Sequence, residues 1–278
     1  MKKHMVCLTF DFDALSLWIA RGMITPTPIS RGEFGAVAAE RLLDLLEENR
    51  IKATWFIPGL TIETYPDLCA RICKEGHEIG CHGYAHESPV NLPRDREEAI
   101  LVRSRDVIRR LAGYNPKGYR SPAWDLSESS VDLLLKYGFV YDSSMMAHDY
   151  VPYRVRTGDI VTADAPAKFG KPTRLVEISP SWSLDDFPHF EYVRDRTYLQ
   201  PGLARSDDVL QNWLDDFRYM KRIVDWGVIT YTLHPQVIGR GHRILMLERL
   251  IKRLVKSHAV FVRMDAVAEE FEKKFAMV

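Results

Sequence analysis

The sequence predicts an α/β fold: a distorted (β/α)7-8 barrel in a single domain over 1–278, with a long irregular insertion at about 145–205. Three observations predict it. Apolar runs of strand length alternate with segments of helical period seven or eight times, with no break in composition, a rhythm that implies a parallel sheet with crossover helices. Ionisable residues cluster just after the strands, where parallel barrels keep their chemistry. Neither a Gly-x-Gly-x-x-Gly after the first strand nor a phosphate loop occurs, which argues against a dinucleotide or nucleotide fold.

In order, Met5–Phe10 is a continuous apolar strand ending in Asp11-Phe12-Asp13-Ala14. Residues 15–32, with Trp18, Pro26, Pro28 and Gly32, read as a long loop of the kind that lines a site or an interface. Glu33–Asn49 has helical period, with Val37, Leu42, Leu45 and Leu46 on its inner face. Ile51–Ile57 is a second strand, stopped by Pro58-Gly59, and Tyr65–Lys74 a helix. His77–Cys81 is a third strand that breaks into a loop at His82, because Gly80 and Gly83 disfavour a helix there. Arg94–Leu111 is a charged helix closed by Gly113. Lys117–Arg120 and Phe139–Tyr141 are short strands flanking a helix capped by Ser127. The stretch 145–205 shows one clear strand, Leu175–Ile178, before Ser179–Pro188. A helix over Asp207–Trp226, a buried strand over Gly227–Leu233, a helix over Ile244–Lys256, a strand over Ala259–Val262 and a helix over Met264–Lys274 complete the chain.

Composition narrows the partners. The 278 residues carry a formal net charge of zero, with no basic tract or aromatic-basic interleaving, so nucleic acid is not expected. The N-terminus runs straight into the first strand without a secretory pattern, and no apolar run approaches bilayer length. The expectation is a cytoplasmic protein with no membrane partner. Cys7, Cys69, Cys73 and Cys81 form no Cys-x-x-Cys pair and read as buried free thiols.

The candidate site collects at the strand ends: Asp11 and Asp13, His82 and His86, Arg120 with Trp124, Asp185 or Asp186, and His234. Alternation places Asp11 and Asp13 on one side of an extended chain, where their charges repel unless a cation lies beside them. Two histidines four apart are by themselves a weak signal, since both can be satisfied loop residues. One aspartate with two histidines, however, suits zinc, or cobalt or manganese, and leaves positions open for water and substrate. The remaining groups suit proton transfer: an aspartate held ionised by Arg120 as base, and His234 as acid towards a leaving nitrogen.

Four motifs, in this order, resemble those of the polysaccharide deacetylase family (the NodB-homology, carbohydrate esterase 4 group). They are Thr9-Phe10-Asp11-Phe12-Asp13, His82-Gly83-Tyr84-Ala85-His86, Tyr119-Arg120-Ser121-Pro122-Ala123-Trp124 and Leu233-His234-Pro235. The resemblance covers most of the chain. It implies a distorted barrel, a divalent metal, most simply Zn2+, on Asp13, His82 and His86, Asp11 as base, Arg120 orienting it, and His234 as acid. Asp185 or Asp186 would polarise His234. Phe12 between the aspartates and Ala14 in place of the usual glycine resemble a sub-branch with cytoplasmic peptidoglycan deacetylase-like proteins, cyclic imide hydrolases and allantoinase relatives. That branch implies a homo-oligomer.

The expected function is metal-dependent hydrolysis of a non-peptide C–N bond, removing an N-acetyl group from a sugar. The alternative is opening of a small cyclic imide or ureide ring. Trp18, Trp124 and Trp182 are expected to wall the substrate pocket. A barrel that only binds a metabolite would be expected to have lost Asp11 or His234, and both are present.

Overall fold

The first strand decides where the site lies. In the computed structural model, which describes residues 2–194 and 198–275, β1 (Lys3–Asp11) is buried along all but its first residue. Its side chains alternate between two environments. Val6, Leu8, Phe10 and Phe12 face the helices that wrap the sheet. Met5 and Cys7 instead join Phe56, Tyr141, Val176 and Met264 inside the sheet's curl. The inward column thus continues as Thr9, Asp11 and Asp13, turning from apolar to polar towards the strand's C-terminal end.

The strands after β1 are β2 (Thr54–Ile57), β3 (Glu78–Cys81), β4 (Gly118–Tyr119), β5 (Tyr141–Asp142), β6 (Tyr153–Thr157), β7 (Ile160–Thr162), β8 (Ala165–Lys168), β9 (Lys171–Glu177), β10 (Val193–Arg194), β11 (Leu199–Gln200), β12 (Trp226–Leu233) and β13 (Val260–Phe261). The main sheet runs β12-β1-β2-β3-β4-β5-β9-β6, with β13 also on β1. Every pairing in it is parallel except β6 with β9. The ends, β12 and β6, share no ladder. Two single links tie the seam: the Val228 N–H donates to the Tyr150 carbonyl (2.9 Å), and Asp185 bridges Thr232. The barrel is therefore a curled sheet with a stitched seam. Its parallel strands deliver their C-terminal ends to one rim, and Met264, Val267, Ala268 and Phe271 of the last helix fill the opposite end. Glycine makes this narrow interior possible, since a Cβ at Gly118 would lie 2.0 Å from the Tyr141 ring.

The helices are α1 (Ser16–Ala20), α2 (Pro26–Glu48), α3 (Gly59–Thr64), α4 (Pro66–Lys74), α5 (Arg94–Ala112), α6 (Ser130–Lys136), α7 (Asp186–Phe190), α8 (Ser206–Ile223), α9 (Pro235–Ile238), α10 (Gly241–Lys256) and α11 (Met264–Lys274). Three expectations change. The loop expected at 15–32 is largely helical. Pro26 opens α2 well before Glu33, because a proline at the first helical position needs no N–H partner. Val37, expected on the inner face of that helix, is 49% exposed; Ala38, Ala39, Leu42, Leu43, Leu45 and Leu46 make the buried face. The stretch 145–205, expected to be irregular with one strand, holds β6–β11 and α7. Its β7–β8 hairpin is exposed along its whole length, so it carries no hydrophobic alternation from which strands can be read.

Candidate metal centre and active site

Asp13 follows β1 and is fully buried. Its backbone carbonyl accepts from Ser16 Oγ (2.6 Å), the Ser16 N–H (3.0 Å) and Thr61 Oγ1 (2.7 Å). The residue is thereby fixed, while both carboxylate oxygens are buried with no hydrogen-bond partner. Two orphaned buried oxygens are costly unless something positive meets them. The chain then turns sharply at Ala14, whose φ of 48° lies in the left-handed region that glycine adopts freely. Gly32 packs against this turn, and a Cβ there would lie 2.6 Å from the Ala14 carbonyl oxygen.

His82 is the first residue after β3. Its Nδ1 is 2.7 Å from the Arg120 carbonyl oxygen, so that nitrogen donates and Nε2 keeps its lone pair. Nε2 lies 3.4 Å from Asp13 Oδ1 and 4.0 Å from Asp11 Oδ2. His86, at φ 62°, brings its Nε2 to 3.8 Å from the same Asp13 oxygen. The Glu87 carboxylate accepts from the Tyr84 (3.1 Å) and Ala85 (2.7 Å) N–H groups and pins the loop between the histidines. A carboxylate beside a turn is the sequence signal for this tethering role. Burial raises the Asp13 carboxyl, but the His86 and His82 rings outweigh it and hold the group at about 2. Burial lowers His86 to about 4. Asp13, His82 and His86 converge within 4.8 Å, and an anionic oxygen pair facing two imidazole nitrogens fits a divalent cation.

Opposite them lies a buried ion pair. Arg120, after β4, is fully buried and donates from Nη1 to Asp11 Oδ1 (2.7 Å) and Thr9 Oγ1 (2.8 Å). Its Nη2 donates to Ser143 Oγ (2.9 Å) and its Nε to the Ser143 carbonyl (3.2 Å), while the guanidinium lies over the Phe56 ring. Thr9 and Ser143 escaped the sequence reading, since nothing in their local context marks them as arginine anchors.

The third group forms on β12 and α7. His234 Nδ1 is 2.7 Å from Asp186 Oδ1, and Asp186 also accepts the His234 backbone N–H. Asp185 lies further away, at 3.5 Å, and accepts the Phe187 N–H as the cap of α7. Of the two aspartates left open by the sequence, Asp186 is thus the one that holds the imidazole. His234 Nε2 points towards Asp13, 3.8 Å from Oδ2. Burial opposes the charged imidazole, but Asp185, Asp186 and Asp13 outweigh it and raise His234 to about 10. Burial, with Asp186 beside it, raises Asp185 to about 8. The buried Arg243 donates to the Val237 and Phe190 carbonyls, each at 2.9 Å, and so clamps α9 to α7 behind this pair.

All three groups open into one cavity of about 420 Å³. Trp124 and Trp182 form one wall, ring centroids 4.1 Å apart and planes tilted by 31°. Ala123 and Trp124 are both left-handed, at φ 57° and 55°, a cost that structures tolerate mostly at functional sites. Trp18 is a correction. It is fully buried and absent from the cavity wall, with the Arg31 guanidinium 4.3 Å from the ring centroid. The short turn of α1 sends Trp18 into the core, and Leu17 and Arg21 reach the cavity in its place. Phe187 and Tyr198 also line it and carried no sequence signal.

Known proteins resemble this chain in sequence and in fold. A family profile described as "Polysaccharide deacetylase" matches residues 1–141. A peptidoglycan deacetylase of Helicobacter pylori is 37% identical, over 98% of each chain. A peptidoglycan deacetylase-like protein of Gibberella zeae is 29% identical, over 96% of this chain and 86% of its own. Among solved structures, a Mycobacterium smegmatis protein provisionally assigned as a polysaccharide deacetylase superposes with a TM-score of 0.85 at 30% identity, over 98% of this chain and 91% of its own. The Puue allantoinase shares the fold, with a TM-score of 0.78 at 21% identity over 99% and 92% of the two chains. With a family profile matched over residues 1–141 and a 37% identical relative matched over 98% of each chain, the chain belongs to the polysaccharide deacetylase family.

Proposed function

We propose that this protein hydrolyses the N-acetyl group of an amino sugar of the kind peptidoglycan carries, with Asp13, His82 and His86 holding a divalent metal, most simply zinc, with cobalt or manganese as alternatives. One observation carries the reading. The fully buried Asp13 carboxylate has no hydrogen-bond partner and faces two imidazoles, between an arginine-held Asp11 and an aspartate-held His234. When bound, the metal supplies Lewis acidity towards the amide carbonyl and acidifies water. Asp11, held in place by Arg120, takes a proton from the attacking water. His234, oriented by Asp186, gives a proton to the nitrogen as the C–N bond breaks, so acetate and a free amine leave. Trp124 and Trp182 offer an aromatic, apolar wall to a sugar face.

The 37% identical relative is named for peptidoglycan. The allantoinase likeness is one of fold, so sugar deacetylation is favoured over ring opening. No helix among the described residues is long and apolar enough to cross a membrane. The four cysteines are unpaired, which supports a reducing, cytoplasmic setting. A homo-oligomer stays part of the proposal on the family resemblance. The test follows acetate release from N-acetylglucosamine oligomers by zinc-loaded protein, in parallel with ring opening of succinimide and allantoin. Acetate release is expected; ring opening alone would replace the proposal with its alternative.

A further inference from the structure

Among the described residues that line the cavity, Arg21 is the one arginine or lysine. The other cations nearby are committed. Arg120 is paired with Asp11, Arg31 with Glu191, and Arg243 with two backbone carbonyls. Arg21 has no carboxylate partner among the described residues. Its guanidinium lies instead 5.7 Å from the centroid of Phe187 and 5.6 Å from that of Tyr198, both on the cavity wall. Aromatic faces hold a guanidinium in place while leaving its N–H fork free to donate.

The backbone beneath it is fixed. The Arg21 N–H donates to the Leu17 carbonyl (3.3 Å), Gly22 turns the chain at φ +68°, and the Met23 N–H donates to the Trp18 carbonyl (2.8 Å). α1 is itself anchored to Asp13 through Ser16, so Arg21 stands in a set relation to the metal ligands. The carboxylates of the cavity have compensating neighbours: Asp11 has Arg120, Asp13 has two imidazoles, and Asp185 has His234 at 3.5 Å. The positive charge of Arg21 has no such neighbour among the described residues.

We infer that Arg21 forms an oxyanion subsite, which selects amino sugars carrying a carboxylate or phosphate close to the N-acetyl group being removed. The inference rests on the deacetylase reading and deepens it by naming the substrate's charge. A planar fork that pairs both oxygens of a carboxylate or phosphate gives arginine an advantage over lysine here.

The test compares zinc-loaded wild type, Arg21→Gln and Arg21→Lys on three probes. These are neutral N-acetylglucosamine oligomers, the N-acetylglucosamine–N-acetylmuramic acid disaccharide for a carboxylate, and UDP-N-acetylglucosamine for a phosphate. Acetate release gives kcat/KM, and calorimetry gives Kd for the same probes. In Arg21→Gln the ratio of kcat/KM on an anionic probe to that on the neutral one should fall about tenfold to a hundredfold, through KM, as loss of a charge-assisted bond predicts. Arg21→Lys should recover part of it. The anionic arm that loses most identifies the source of the oxyanion. An equal loss on neutral and anionic probes, or no loss, overturns the inference. If wild type releases acetate from none of the probes, the deacetylase reading falls and calorimetry decides the subsite alone. Weaker anionic binding in Arg21→Gln then upholds it, and unchanged binding overturns it.

Discussion

Asp186 grips His234 twice: its carboxylate lies 2.7 Å from the ring Nδ1 and also accepts the backbone N–H of the same residue, at 3.0 Å. Ring and main chain are therefore fixed by one side chain, with Nε2 turned to the cavity. Asp186→Asn keeps the shape, but its amide can present N–H where Nδ1 must donate, which favours the wrong tautomer. The expected result is a loss of kcat by about two to four orders of magnitude, the range of general acid catalysis, with KM little changed. Asp185→Asn, further from the ring and engaged with the Phe187 N–H, should cost less. Steady-state kinetics of the two variants side by side checks the assignment; a larger loss in Asp185→Asn would reverse it.

The Arg120–Asp11 pair carries a stability prediction. Both side chains are almost wholly out of water, at 0% and 2% exposure. Removing one partner strands the other's charge, whereas removing both does not. Arg120→Leu should destabilise the protein by about 3–5 kcal/mol, and adding Asp11→Asn should recover a substantial part of that loss. Urea unfolding of both single variants and the double variant measures the coupling. Simple additivity would show that the pair is not energetically linked.

How far the sequence reaches is visible in the same residues. The β1 alternation already placed Asp11 and Asp13 on one side, because the strand is long and every second residue obeys the pleat. The histidine loop, Arg120 and His234 were legible for a similar reason: each lies at the C-terminal end of a segment that reads as a strand. The choice between Asp185 and Asp186 was not, since it depends on which carboxylate caps α7 and which points at β12. The fate of Trp18 was hidden because α1 spans only five residues, too few to show a period. The seam was hidden as well: the Tyr150–Val228 and Asp185–Thr232 links join segments far apart in sequence, with no local pattern.

Metal removal gives a test that does not depend on turnover. A ligand that binds only the folded state raises its stability by mass action, about 2.7 kcal/mol at one hundred times Kd. Zinc should therefore raise the Tm of the metal-free wild type. Asp13→Ala removes the orphaned carboxylate that faces both histidines, so it should abolish the zinc-induced shift and bind well under one equivalent. A full shift in Asp13→Ala would move the metal elsewhere.

At the opposite end of the barrel, Glu78 links stability to pH. It is buried and accepts from Thr54 Oγ1 (2.7 Å), Tyr141 Oη (2.8 Å) and the Asp265 N–H (3.0 Å). Burial, with the charge of Asp265, nevertheless raises its carboxyl to about 7, from an ordinary value of 4.5. Between those two values the folded protein holds a proton that the unfolded chain has released. Stability from this group is thus present at low pH and declines as pH rises from about 4.5 through 7. Glu78→Gln cannot titrate. It should be less stable than wild type overall, because its amide cannot accept all three donors, but it should lack this decline. The wild-type advantage measured by urea unfolding should therefore be larger at pH 5 than at pH 8. A wild-type advantage that is constant, or that grows with pH, would mean that Glu78 is ionised in the folded protein throughout, with its three donors outweighing its burial.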